Sequence, residues 1–234
     1  MNTVLIAIVL PVKVIMSILI EGEGKTEVLR LAKGLYKKLK KFFGVDIAKI
    51  DIKIVENVND FSKARGIKIN DIPSYTVGTA KGLNCIIIFS KGKFKERGHK
   101  EEEFESVLFH EMAHLFVRSI TKRPIDPWIE EGICEYISFK KLEGKPKRLI
   151  DFKKIKTPKD WYKYAPYLQS KLFFDYLVKR GGIKKIRELL KNLSKEKTEI
   201  CFLKVYGSSL GDIQKKWKNY ITPQFHVKEQ KLKR

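Results

Sequence analysis

Residues 110–136 read HEMAHLFVRSITKRPIDPWIEEGICEY, and the spacing within them decides how the rest of the chain is read. His110 and His114 stand four positions apart, which puts two side chains on one face of an α-helix. Glu111 is turned by roughly 100 degrees from His110, given about 3.6 residues per turn. Two imidazoles side by side can hold one divalent ion, and a carboxylate beside them can take a proton from a water that the ion acidifies. The chain has only four histidines, so two of them falling into H-E-x-x-H is a selective signal. Its bland counterpart is a pair of satisfied histidines on a buried helix.

The second half of the stretch supplies what the first lacks. A metal site of this kind needs a third protein ligand and one open position. Asp126 and Pro127 form a favourable helix start, with Asp126 at the N-cap and the proline at the first helical position. The helix they open carries two adjacent carboxylates. Glu131 shares a face with Glu135 one turn later, whereas Glu130 is rotated away from both. Choosing Glu131 as the ligand gives Glu135 a role too, since it can hydrogen-bond the free nitrogen of a liganding histidine and fix its tautomer. Glu130 is then read as a surface glutamate facing solvent.

Outward from this core the chain is α+β. Thr26 to Phe43 is amphipathic at helical spacing, with Gly44 where a C-cap falls. Residues 47–55, IAKIDIKIV, alternate as a half-buried strand, and Cys85 to Phe89, CIIIF, is a short apolar strand. Gly78, Gly82 and Gly92 mark turns around it. Helices are expected from Glu101 to about Ser119, Asp126 to about Lys141, Pro166 to Lys179, Gly182 to Leu193 and Ile213 to Ile221. The expected organisation is an α/β lobe over residues 1–100, an active-site helix over 101–122, a helical lobe over 123–222 with the third ligand, and a basic tail over 223–234.

The formal net charge is +22. Such a balance suits acidic surfaces, whether nucleic acid, anionic lipid or acidic peptide. Yet lysines occur in every region among glutamates, the Lys- and Ile-rich composition of hyperthermophile surfaces, which favours a solvated face. Three widely spaced cysteines, Cys85, Cys134 and Cys201, form no C-x-x-C pair and suit a reducing, cytoplasmic interior. Residues 3–20 are nearly all apolar, which would serve a membrane anchor. Pro11 and Lys13 interrupt them, however, and the run alternates from Val12 onward, which favours a strand. Gly22-Glu23-Gly24-Lys25-Thr26 looks like the end of a phosphate-binding loop but lacks the glycine required at Leu19. Lys140 to Tyr164 interleaves lysines with Phe152, Trp161, Tyr162 and Tyr164, a pattern that can grip single-stranded nucleic acid but more often covers a satellite core.

H-E-x-x-H followed by W-x-x-E-G-x-x-E-Y resembles the gluzincin zinc metallopeptidases, particularly their peptidase-MA-like branch, related to thermolysin and the zinc aminopeptidases. The resemblance implies a thermolysin-like catalytic domain: an upper α/β lobe with a small sheet, a mainly helical lower lobe, and a cleft between them holding one Zn2+ per chain. It implies His110, His114 and Glu131 as ligands, Glu111 as general base, Glu135 behind the ligands, and a peptide or protein substrate. Residues 167–190 are similar to the helical segment that follows the metal site in that family. A tyrosine there stabilises the oxyanion, which falls on Tyr167, with Tyr164 as the alternative. The family's upper lobe lays substrate along an exposed strand, and Asn84, Cys85, Ile86, Ile87, Ile88 and Phe89 are expected to form it. The aminopeptidase signature G-x-M-E-N has no counterpart, since residues 78–82, GTAKG, lack its glutamate; this favours an endopeptidase over an aminopeptidase. The other class of function is a catalytically idle gluzincin-like domain that serves as a basic adaptor for nucleic acid or membrane. A third reading is a latent enzyme whose cleft is covered by a chain terminus.

Overall fold

The isoleucine-rich runs become the inner strands of a four-stranded sheet. The structure, a computed structural model, describes residues 16–138, 146, 149–155, 160 and 166–231. Its strands are β1 (Ser17–Glu21), β2 (Lys49–Val55), β3 (Gly78–Lys81) and β4 (Cys85–Phe89), in the order β1-β2-β4-β3. The first three in that order run parallel, and β3 is antiparallel to β4. Ile52 pairs with Ile86 and Ile54 with Ile88. All four are buried on one face, and Ile87 and Phe89 are buried on the other, as expected where both faces of a sheet are covered. β1 extends the sheet with alternating half-buried and exposed residues, as its period of two predicts. The apolar residues before Met16 lie outside the described residues.

Alternation along the strands assigns the two faces. The odd side carries Phe89, whose ring stacks on Phe61 at 5.0 Å, so α2 (Val58–Arg65) covers it. On the even side lie α1 (Lys25–Phe43) and α3 (Phe104–Thr121), whose contact includes Tyr36 and Phe43 of α1 against Phe116 of α3 at 5.4 and 5.5 Å. α1 ends as expected at Gly44, whose left-handed φ of 74° lets its N–H donate to the Lys40 carbonyl.

The second half of the chain is helical. α4 (Pro127–Ile137), α5 (Tyr167–Leu193), α6 (Thr198–Tyr206) and α7 (Leu210–Lys231) surround an aromatic core. Trp128 stacks on Phe152 at 4.8 Å, and Phe173, Phe202 and Trp217 close around them. α5 is broken at Gly182, with φ 70° and ψ 172°, which accounts for the two separate helical patterns there. α7 carries on to Lys231, across most of the stretch expected as a tail. Most of the Lys140–Tyr164 segment, including Trp161, Tyr162 and Tyr164, lies outside the described residues. Among the described residues no helix is long and apolar enough to cross a membrane.

Candidate metal centre

α3 and α4 carry the site, and the turn between them sets how they meet. α3 ends at Lys122, a non-glycine residue at φ 54°, whose N–H donates to the Arg118 carbonyl at 2.8 Å. Four residues on, Asp126 opens α4 as expected at the N-cap, though its carboxylate accepts from Thr198 Oγ1 at 2.7 Å rather than from its own helix. α4 then lies close to α5 because residue 132 is glycine. A Cβ there would stand 2.6 Å from Cδ2 of Phe174 and 3.0 Å from Cβ of Ser170. That close packing fixes the height of Glu131, one residue earlier.

His110, His114 and Glu131 converge. The two Nε2 atoms are 3.0 Å apart, and the Glu131 carboxylate stands 3.3 Å from one and 3.6 Å from the other. One ligand atom from each residue lies within 4.8 Å of the other two, a group that could hold a metal ion. His114 is buried, His110 nearly so, and the Glu131 side chain is a quarter exposed. The cluster therefore opens to solvent on the carboxylate side. Glu111 lies beside it on α3, also buried, in contact with the backbone of β3.

Electrostatics mark the place as one built for positive charge. Burial alone would disfavour a charged His110, but the hydrogen bond and charge of Glu131, with Glu135 and Glu111 behind, push its pKa up to about 9. For Glu131, burial works upward, and the charges of His114 and His110 overcome it and bring the carboxyl down to about 2. Burial, with the charges of Glu131 and Glu130, raises the thiol of Cys134 well above its ordinary range, so this cysteine stays a protonated core residue.

Glu130 is not the solvent-facing residue its rotation suggested. Its Oε1 accepts from Nδ1 of His114 at 2.8 Å and from Nε of Arg118 at 2.6 Å. Burial opposes a charge on it, yet His114 and Arg118 hold its carboxyl below the usual range. The signal lay on α3 rather than α4, because Arg118 follows His114 by one turn and so shares its face. Glu135 is buried as expected, but its Oε1 stands 3.7 Å from Nδ1 of His110, too far for a hydrogen bond. Neither that nitrogen nor Glu135 Oε2 has a hydrogen-bond partner among the described residues.

The strand expected to receive a substrate, Asn84 to Phe89, is corrected by the sheet order. β4 is hydrogen-bonded on both sides, to β2 and to β3, so it has no free edge. Among the described strands the edge beside α3 is β3, a four-residue segment that the glycines at 78 and 82 had suggested was turn. Tyr167 is the first residue of α5, half-buried against the core. Ser170, one turn later on the same face, lies close to Gly132.

The phosphate-loop look-alike serves another purpose. Gly24 is the left-handed N-cap of α1. It borders a groove of about 830 Å³ lined by six glutamates and by Arg30, Lys38, Lys91 and Lys93, and by none of the cluster residues.

A family model described as "BSP: Peptidase of plants and bacteria" matches residues 53–220, well over half of the chain, and every residue of the cluster falls inside the match. No curated protein and no solved structure matches the chain. With two histidines, a glutamate and a neighbouring carboxylate gathered under an edge strand, inside a segment that fits a peptidase family over most of its length, the chain belongs to the BSP family, the peptidases of plants and bacteria.

Proposed function

We propose that this peptidase is a zinc enzyme of the gluzincin type, with His110, His114 and Glu131 as ligands and Glu111 as general base. The observation that carries the reading is the convergence of those three side chains. Four donors at about 2.0–2.1 Å from a tetrahedral zinc ion stand about 3.3–3.4 Å apart. Here the two Nε2 atoms are 3.0 Å apart, Glu131 Oε2 is 3.3 Å from that of His110, and Oε1 is 3.6 Å from that of His114. Two imidazoles and one carboxylate are also a recognised donor set for a catalytic zinc, which keeps a further position open.

When bound, zinc supplies a Lewis acid that polarises the scissile carbonyl and lowers the pKa of a nearby water. The remaining steps fall to the chain. Glu111 takes the proton of the attacking water and returns it to the leaving amine. Glu130 fixes the tautomer of His114 by accepting from its Nδ1. A tyrosine hydroxyl, that of Tyr167 or of Tyr164 outside the described residues, would donate a hydrogen bond to the oxyanion of the tetrahedral intermediate. The substrate backbone pairs along β3, the described edge strand against which Glu111 lies. With no counterpart of the aminopeptidase glutamate in residues 78–82, internal peptide bonds are the substrate.

The test is a digest of unstructured protein by the zinc-loaded chain. Cleavage is expected, and Glu111→Gln should lower it by at least about 100-fold while zinc content is unchanged. Zinc-loaded protein that cleaves nothing in a broad peptide library, yet retains RNA at moderate salt, would instead favour the adaptor reading.

A further inference from the structure

We propose that Arg118 is a positioning residue that ties the ligand His114 to the substrate edge of β3. The inference rests on the zinc peptidase reading and adds to it a connection between two parts of the site. From one guanidinium, Nε donates to Glu130 Oε1 at 2.6 Å, the same oxygen that accepts from His114 Nδ1 at 2.8 Å. From its other side, Nη1 donates to the carbonyl of Ala80 at 3.1 Å and to that of Gly82 at 3.4 Å. The chain of contacts therefore runs His114, Glu130, Arg118, Ala80.

The direction of the Ala80 carbonyl gives this chain its meaning. Phe89 N–H donates to the Val77 carbonyl at 2.9 Å, so Val77 bonds to β4, and by alternation Thr79 and Lys81 do too. Gly78 and Ala80 then turn their backbone groups outward, to the side where a peptide would pair. Arg118 holds the Ala80 carbonyl on that side, and Arg65 reaches the same oxygen at 3.3 Å. The outward edge is thereby closed at the Ala80 carbonyl and stays open at Gly78, the residue that faces Glu111.

Only a planar fork can do both jobs. Arginine presents donors in two directions from one rigid group, while lysine offers a single point charge. The Arg118 and Glu130 side chains are 30% and 17% exposed, so their contact is partly shielded from water. The oxygen they share aims His114 Nδ1 away from the cluster, which turns Nε2 toward His110 and Glu131.

The experiment is a double-variant cycle on the full chain, reading zinc affinity by chelator competition alongside kcat and KM for a peptide at saturating zinc. Arg118→Gln and Glu130→Gln should each weaken zinc about tenfold, in line with losses on removing a group behind a metal ligand. Since arginine acts through Glu130, the double variant should be no weaker than Glu130→Gln alone. Arg118→Gln should also raise KM severalfold with little change in kcat, and Glu130→Gln should leave KM unmoved. Arg118→Lys should recover zinc affinity but not KM. Multiplicative losses in the double variant, zinc affinity indifferent to Arg118, or equal KM changes in both single variants would overturn the proposal. A wild-type chain that takes up no zinc overturns the zinc reading and this proposal with it, whereas uptake that ignores Arg118 sinks the proposal alone.

Discussion

Gly78 lies directly against Glu111: a Cβ built on the glycine would stand 3.3 Å from Cγ of the glutamate and 3.6 Å from its Oε1. The edge strand and the proposed general base thus leave no unstrained room for a methyl group between them, and the same Cβ would stand 3.0 Å from Val107 Cγ1. A methyl group at residue 78 would require Val107 and the Glu111 side chain to give by a few tenths of an ångström.

Gly78→Ala is therefore expected to cost activity more than stability. A shift of a few tenths of an ångström in Glu111 should lower kcat about tenfold, because misplaced reacting groups lose rate steeply. Unfolding free energy should fall by less than the about 1–3 kcal/mol of full overpacking, because the neighbours need yield only a few tenths of an ångström. Kinetics and thermal melts on the same preparation separate the two effects.

Gly132→Ala carries the opposite balance. Its Cβ would overlap the Phe174 ring at 2.6 Å and press on Ser170 at 3.0 Å, in the interior between α4 and α5. A loss of about 1–3 kcal/mol is expected in urea unfolding, with partial recovery when Phe174→Leu is added to make room.

Lys122 holds a left-handed conformation at the end of α3 and is exposed. Lys122→Gly removes a steric cost of about 1–2 kcal/mol and gives part of it back as chain entropy, so a net gain of about 0.5–1 kcal/mol is expected. Thermal unfolding checks this, and a loss of stability would show that the lysine side chain contributes more than its backbone costs.

Metal removal should be visible in stability as well as in catalysis. A ligand at 100 times its dissociation constant stabilises the folded chain by about 2.7 kcal/mol. At about 2–4 °C per kcal/mol for a chain of this size, chelation should lower the melting temperature by roughly 5–10 °C. Zinc should restore it in the wild type and fail to do so in His114→Ala.

The residues that converge at the site were legible because helix periodicity and ligand chemistry speak together. Two histidines four apart share one helix face, and Glu131 was preferred to Glu130 because it shares a face with Glu135 and because the family resemblance places the third ligand there. The role of Glu130 was hidden, since periodicity says which way a side chain leaves its own helix and not which residue of the next helix meets it. Arg118, one turn past His114, held that information, but only a crossing angle could reveal it. CIIIF and the helix before Gly44 were read to within a residue because burial on both faces, or on one stripe, writes itself into composition. β3 was missed for the converse reason. Gly78-Thr79-Ala80-Lys81 has no apolar alternation, and β4 alone makes it a strand. α2 and α6 are short, so their caps and stripes were faint; Asn57, which accepts from Asp60 N–H, was the readable mark of the first.

The reading of the site stands or falls on whether one ion sits between three named atoms. Anomalous diffraction at the zinc edge, from crystals of the zinc-loaded chain, measures that directly. One peak is expected, about 2.0–2.2 Å from Nε2 of His110, Nε2 of His114 and a carboxylate oxygen of Glu131. A fully loaded crystal with no peak there, or with its zinc held elsewhere, would contradict the account.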